Sequence, residues 1–325
     1  MGENMILCSI STKGRYDTTL PLAIQSVIFQ TKKIDKLIIY DDNDEPKDMR
    51  EVQHYRYLFD MMNLKNIAWE WLYARKQGQH HNHQMANTSG YEWVWRIDDD
   101  CIAEPNTLET LWSYVNPTIG AVGGSVLTPP FPPVQATGKL ENIDIEPNIQ
   151  WDFIKQSHEV EHLHCSFLYR AGVFDYNLGL SRVAHREETL FTWGLTQLGY
   201  KLLVVPNAIT WHLKNQSGGI RTGHYELFDH DEQIFRNTLN LNDRTIVVLN
   251  NGMGDHVVFK KILPEIVNPI IFSCYSDIVP GRSIRDALDL FGNIDQYSIY
   301  AKMDQWHWTD SLENAFRKMY VEKTK

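Results

Sequence analysis

Three consecutive carboxylates, Asp98-Asp99-Asp100, close the strand-like run Glu92-Trp93-Val94-Trp95-Arg96-Ile97. No other feature constrains the chain as strongly. Like charges held this close repel one another unless a cation or a solvated turn relieves them. Hard divalent ions such as Mg²⁺ or Mn²⁺ take oxygen ligands from one or two carboxylates and share the rest with phosphate and water. Alternate residues of an extended segment point the same way, so Asp98 and Asp100 can face one site. The competing reading is a solvated acidic turn. A second strand-like run, Lys36-Leu37-Ile38-Ile39-Tyr40, leads directly into Asp41-Asp42-Asn43-Asp44. An acidic residue in such a place can accept from a ribose hydroxyl or a base N–H.

The segments around these clusters alternate. Ile6 to Ile10 reads as a buried strand, and Leu20, Ala23, Ile24, Val27 and Ile28 fall at helical spacing behind Thr18, Thr19 and Pro21. A helix is predicted over about 47–62 and a strand over 67–74. Strands alternating with helices imply a parallel sheet covered on both faces. Ligands in such sheets sit beyond the carboxyl ends of the strands, where both acidic clusters fall. Residues 128–147, with Pro129, Pro130, Pro132 and Pro133 beside Gly138, read as a long loop. Regular structure is expected again over 160–169, in a helix over 187–198 and in a strand over 201–205. The pattern resets near Asn240, giving a domain over residues 1–240 and a small α/β unit over 241–325. In that unit, strands over 246–249 and 270–274 flank Gly252-Met253-Gly254-Asp255 and a helix over about 256–265.

Composition excludes several classes. The 325 residues suffice for about two domains at ~150 residues each. With 43% apolar and 22% charged residues, the chain is neither disordered nor fibrous. Its net charge of −10 argues against a basic coat for nucleic acid. Cys8, Cys101, Cys165 and Cys274 are far apart and form no CxxC pair, so neither a disulfide framework nor a zinc knuckle is expected. No apolar run approaches ~18 residues, and the start lacks a signal-peptide pattern. A cytoplasmic protein without a membrane span is the expectation.

Three further groups carry potential chemistry. Glu187 and Glu188 open a helix, where the dipole favours acids in any case but where a carboxylate can also serve as general base. His212 closes the segment Val205-Pro206-Asn207-Ala208-Ile209-Thr210-Trp211-His212, where an imidazole could complete a metal shell. Gln79-His80-His81-Asn82-His83 superficially suggests a zinc site, although donor-side polar contacts from Gln79 or His80 are the preferred reading.

Taken in order, these residues resemble the family 2 glycosyltransferases of the GT-A fold. The shared pattern runs from Ser11-Thr12-Lys13-Gly14-Arg15 through Gln30-Thr31, Asp41-Asp42 and the DxD-type Asp98-Asp99-Asp100. It continues to Glu187-Glu188 with Gly199-Tyr200, and ends in Pro206 to His212. The resemblance covers roughly residues 5–238 and implies a Rossmann-like mixed α/β sheet flanked by helices. It implies that Thr12, Arg15, Asp41, Asp42, Gln79, Asp98 and Asp99 border a nucleoside-diphosphate sugar, a UDP-sugar being favoured. It implies Asp100, Asp98 and His212 as ligands of Mn²⁺ or Mg²⁺, and Glu188 or Glu187 as the base of an inverting transfer. Residues 214–221, with Gly218-Gly219 inside, resemble a segment closing over donor phosphates, with Arg221 as a phosphate contact. The family's Arg in the 187–198 helix is replaced by Gly194, and no Gln-x-x-Arg-Trp motif occurs, which disfavours a processive synthase. The segment with Asp255 and Pro264 is similar to part of a heptosyltransferase-type GT-B half-domain, which implies acceptor binding or oligomerisation.

The acceptor stays open among a saccharide, a protein, a small molecule and a hydroxymethylated base in DNA, which a flipped-out base would present. The rival readings are a nucleotidyltransferase and a non-catalytic sugar-nucleotide-binding module.

Overall fold

The computed structural model describes residues 5–128, 136–140, 143, 147–214, 218–220 and 226–239, together with the backbone of 245–250 and 269–274. The chain divides into two compact units, residues 1–140 with 148–235, and residues 141–147 with 236–325.

The first unit is built on one nine-stranded sheet. Its elements run β1 (Ile6–Thr12), α1 (Leu20–Ile28), β2 (Lys36–Asp41), a 3₁₀ turn (Met49–Glu51), α2 (Gln53–Leu64), β3 (Ala68–Tyr73), α3 (Gln79–Asn87) and β4 (Trp93–Arg96). Then come β5 (Cys101–Ala103), α4 (Thr107–Ser113), β6 (Ile119–Leu127), a 3₁₀ turn (Ile149–Trp151), β7 (His158–Val160), β8 (Phe167–Arg170), α5 (Glu187–Gln197), β9 (Lys201–His212) and α6 (Glu226–Thr238). Spatially the sheet runs β3-β2-β1-β4-β8-β6-β9-β5, with β7 also paired to β9.

The first four strands are mutually parallel, as the alternation of strands and helices implies. The second half of the sheet departs from a purely parallel one. β8 runs antiparallel to both β4 and β6, and β5 antiparallel to β9. The result is the mixed sheet that the family resemblance implies.

Alternation along β1 and β4 assigns the two faces. Ile6, Cys8, Ile10, Trp93 and Trp95 join a core with the apolar stripes of α1, α2 and α4. Leu7 and Val94 face the other way, into a core with Ala86 of α3 and with Phe191 and Leu195 of α5. The helix expected over 47–62 is interrupted at Val52, whose extended backbone separates the 3₁₀ turn from α2. The stretch 160–169 is two short strands with an irregular segment between them. β9 is longer than the expected 201–205, continuing through the Pro206 region to His212 with register shifts against β6. One of these lies beside Gly124, where an added Cβ would sit 2.0 Å from the Ala208 carbonyl oxygen.

Gly194 has a packing reason. A Cβ at this helical position would lie 2.0 Å from the Phe174 ring, and Phe174 itself packs against Phe191. An arginine there is sterically excluded.

In the second unit, β10 (Thr245–Asn250) and β11 (Pro269–Cys274) pair in parallel. Gly252 to Asp255, the helix expected over 256–265 and Pro264 lie outside the described residues, as does Arg221. No helix among the described residues is long and apolar enough to cross a membrane.

Candidate active site

The carboxyl ends of β1, β2 and β4 share one rim of the sheet, with Thr12 in register with Asp41 and Asp98 just beyond the last residue of β4. A cleft of about 200 Å³ opens there, lined among others by Arg15, Gln79, Asp98, Asp99, Asp100, His164 and His212.

The acidic turn is neutralised mainly from the β1 side. Thr12 Oγ1 donates to Asp99 Oδ2 at 2.7 Å. Arg15 Nη1 bonds the other Asp99 oxygen and lies 3.1 Å from Asp100 Oδ2. Burial pushes the Asp99 carboxyl up to about 6 against the pull of Arg15, with the neighbouring Asp100 adding to the rise. Asp100 behaves oppositely. Burial raises it too, but His212, through a hydrogen bond and its charge, and then Arg15 outweigh that and hold it below the usual range. Pairing of β5 with β9 sets Cys101 directly across from His212, which brings His212 Nε2 to 3.3 Å from Asp100 Oδ1.

A divalent cation suits this pair. Asp100, Cys101 and His212 each offer a ligand atom, all within 4.8 Å of one another. An ionised carboxylate and an imidazole are ordinary ligands for such an ion. His212 Nδ1 is buried with no hydrogen-bond partner. The Cys101 thiol is a poorer donor, because burial and the neighbouring carboxylates push its ionisation well upward. Asp98 turns toward Arg96, with its Oδ1 3.2 Å from Nη2.

Asp41 and Asp42 end on the same rim but do not line this cleft. Asp41, 1% exposed, accepts from the Tyr16 hydroxyl, from Trp71 Nε1 at 3.2 Å and from the Asn43 side chain at 2.6 Å. Asp42 takes the Gly78 N–H on both oxygens, at 3.3 and 3.2 Å. Burial lifts its carboxyl to about 6 despite that hydrogen bond.

The pair at the head of α5 is organised by a residue that the sequence reading passed over. Arg96 is fully buried on β4 and shares the face of Val94. It grips Glu187 through Nη1 at 2.8 and 2.9 Å and reaches Glu188 Oε1 through Nη2 at 3.4 Å. Gln79 Nε2 adds a bond to Glu187 at 2.7 Å. A single arginine therefore links Glu187, Glu188 and Asp98. Its own ionisation is raised well above the ordinary value: burial opposes its charge, but the surrounding carboxylates outweigh that. The available signal was a lone charge in an otherwise apolar strand, two residues before an acidic turn. His164, also missed, lies in the irregular segment between β7 and β8 and had no periodic signal.

The histidine run forms α3. His83 Nδ1 meets Ser9 Oγ at 3.0 Å, and burial depresses His80 to about 4. Gly218 and Gly219 lie against the Lys13–Arg15 loop, and Gly219 N donates to Lys13 O at 2.7 Å. A Cβ on Gly218 would sit 2.4 Å from the Gly14 carbonyl oxygen, so only glycine permits this approach.

No protein-family model and no curated protein matches the chain. Solved structures do match in fold. S. aureus TarS residues 1–349 in complex with UDP-GlcNAc superposes with a TM-score of 0.51 at 14% identity, covering 73% of this chain and 72% of that one. GalNAc-T7 with UDP, GalNAc and Mn²⁺ gives 0.50 at 13% identity, covering 66% and 44%. Against the longer TarS structure, the match spans 43% of that chain. The chain therefore has the GT-A-like fold.

Proposed function

We propose that the protein is a metal-dependent, inverting glycosyltransferase that moves a sugar from a uridine diphosphate sugar to an acceptor hydroxyl. The observation that carries this is the gathering on one rim of the Asp98–Asp100 turn, Arg15 and His212 with the Arg96-held glutamates. The uridine donor is supported by the UDP and UDP-GlcNAc bound in the two structures of like fold.

Asp100 and His212 would hold the cation, with Asp98 as a further carboxylate lining the same cleft; when bound, it neutralises charge on the departing diphosphate. Arg15 and Lys13 bring positive charge to the same cleft. Thr12, Asp99 and Gln79 border the donor. Asp41 and Asp42, held by protein groups, shape the nucleotide end by positioning Tyr16, Trp71 and Gly78. Glu188 drives acceptor deprotonation, while Glu187 is consumed by Arg96 and Gln79. Residues 1–240 form the catalytic part and 241–325 an accessory part for acceptor binding or oligomerisation, which the break between compact units after Phe235 supports.

The test is a panel of sugar nucleotides with and without Mn²⁺, scored for release of nucleoside diphosphate, in the presence and absence of hydroxymethylated DNA. Mn²⁺-dependent release is expected. Release of sugar 1-phosphate instead, with the nucleoside monophosphoryl group passing to the acceptor, would identify a nucleotidyltransferase. Glu188→Gln is expected to lower turnover by about 10²–10⁴-fold, the usual worth of general-base help, with donor affinity retained; full activity in that variant overturns the assignment.

A further inference from the structure

Glu188 does not open onto the cleft. It is 1% exposed, and the side chain that lines the cleft before it is His164. His164 Nδ1 lies 3.7 Å from Glu188 Oε1, and its imidazole is 23% exposed. The same carboxylate oxygen is held from behind by Arg96 Nη2. The His164 backbone is fixed on both sides. Its N–H donates to Gln150 Oε1 at 2.5 Å, and its carbonyl accepts from Ser166 N at 2.7 Å. Gln150, itself fully buried, closes the loop by donating to Ser166 O at 3.1 Å. The next residue, Cys165, has φ +54°, a conformation that a non-glycine residue keeps only where its surroundings over-determine it. The Trp151 ring stands edge-on to the imidazole at 6.3 Å.

We propose that His164 is a catalytic residue whose imidazole takes the acceptor's proton, with Glu188 as its positioning partner. The proposal rests on the glycosyl-transfer reading above and deepens it. The lone pair of Nε2 receives the acceptor hydroxyl proton while the acceptor oxygen bonds to the anomeric carbon. The bond from that carbon to the diphosphate oxygen breaks, and its electron pair leaves with the nucleoside diphosphate. The imidazolium then returns its proton to solvent. Glu188 accepts from Nδ1–H, which fixes the tautomer and stabilises the imidazolium, the role a carboxylate plays behind a catalytic histidine. A 3.7 Å separation is in keeping with catalytic hydrogen bonds that tighten only when substrate is bound. Lys13, Arg15, the Asp98–Asp100 turn and His212 line the cleft with the imidazole; behind it stand Glu188 with Glu187 on α5 and Arg96 on β4, and Lys214 has its Nζ 4.8 Å over the Trp151 ring.

The experiment uses the full chain with Mn²⁺ and UDP-GlcNAc, water serving as acceptor, and follows UDP release across pH 5–9. His164→Ala is expected to lower kcat by about 10²–10⁴-fold with donor KM nearly unchanged, to lose the imidazole limb of the pH profile, and to recover rate when imidazole is added. His164→Gln, closer in volume, should show the same loss, and calorimetric UDP binding equal to wild type certifies its fold. Variants that bind UDP normally and keep their rate overturn the proposal, as does a loss with unchanged pH profile and no imidazole rescue. If the wild type neither binds UDP nor releases it, the glycosyl-transfer reading fails separately. The His164–Glu188 couple is then judged by ¹⁵N NMR. Nδ1 protonation and a lower imidazole pKa in Glu188→Gln are expected, and an imidazole indifferent to that change ends the proposal.

Discussion

Two strand ends on the same rim carry acidic clusters, and they have been put to different uses. After β2, the carboxylate oxygens of Asp41 and Asp42 are satisfied by Tyr16, Trp71, Asn43 and the Gly78 amide. After β4, Asp98 to Asp100 line a cleft and are balanced by Arg15, Arg96 and His212. On this contrast, we propose that an acidic strand end serves a ligand where its partners are charged groups beside open space. Where the partners are neutral donors packed behind it, the carboxylate is a brace.

The largest effect should separate the two ends by function. Asp100→Asn should reduce Mn²⁺-dependent donor turnover by about 10²–10³-fold, the scale of losing one preorganised electrostatic contact, with thermal stability little changed. Asp41→Asn should act mainly on stability, lowering unfolding free energy by about 1–3 kcal/mol as buried donors lose a charged acceptor, while UDP affinity in calorimetry falls only as far as Tyr16 and Trp71 lose their positions. A reversed pattern breaks the comparison. Arg96→Met should cost about 3–5 kcal/mol in denaturant unfolding, because Glu187 and Glu188 would stay buried without their counter-charge. An Arg96→Met, Glu187→Gln double variant should recover part of that loss. The smallest effect is a slope. Asp42 binds its proton more tightly folded, near pH 6, than at the ordinary 3.8. The folded state therefore holds more protons between those values, and the stability this group contributes at low pH is lost as pH rises through them. Melting temperature followed from pH 4 to 6.5 should show that decline, flattened in Asp42→Asn.

Much of the first half was legible because local pattern and tertiary role agree there. The stripe Leu20, Ala23, Ile24, Val27 and Ile28 reads as a helix and is buried as one. The run Lys36–Tyr40 reads as a strand and lies in the sheet. The later strands were harder. β5, β7 and β8 are three or four residues long, too short for alternation to register, and β8's direction is set by tertiary pairing. In the site, the acidic residues were visible because they are clustered. Arg96 and His164 were not, since each is a single polar residue whose meaning comes from α5, an element about ninety residues away for one and some twenty for the other. The helix expected over 187–198 is buried on nearly every side, Thr189 and Thr192 included. That followed from its place over the sheet rather than from any stripe in its sequence.

The approach of Gly218 to Gly14 has a kinetic consequence. Main chain rests on main chain there, and the Gly219 amide is tied to the Lys13 carbonyl. With glycine on one side of the approach, the two segments part by losing the Gly219–Lys13 hydrogen bond and the packing of the Arg15 guanidinium against Gly219. Deuterium uptake at Gly219, compared with that of Ile10 inside β1, would time this parting directly. It would also set an upper bound on how often a ligand as large as a nucleotide can be admitted.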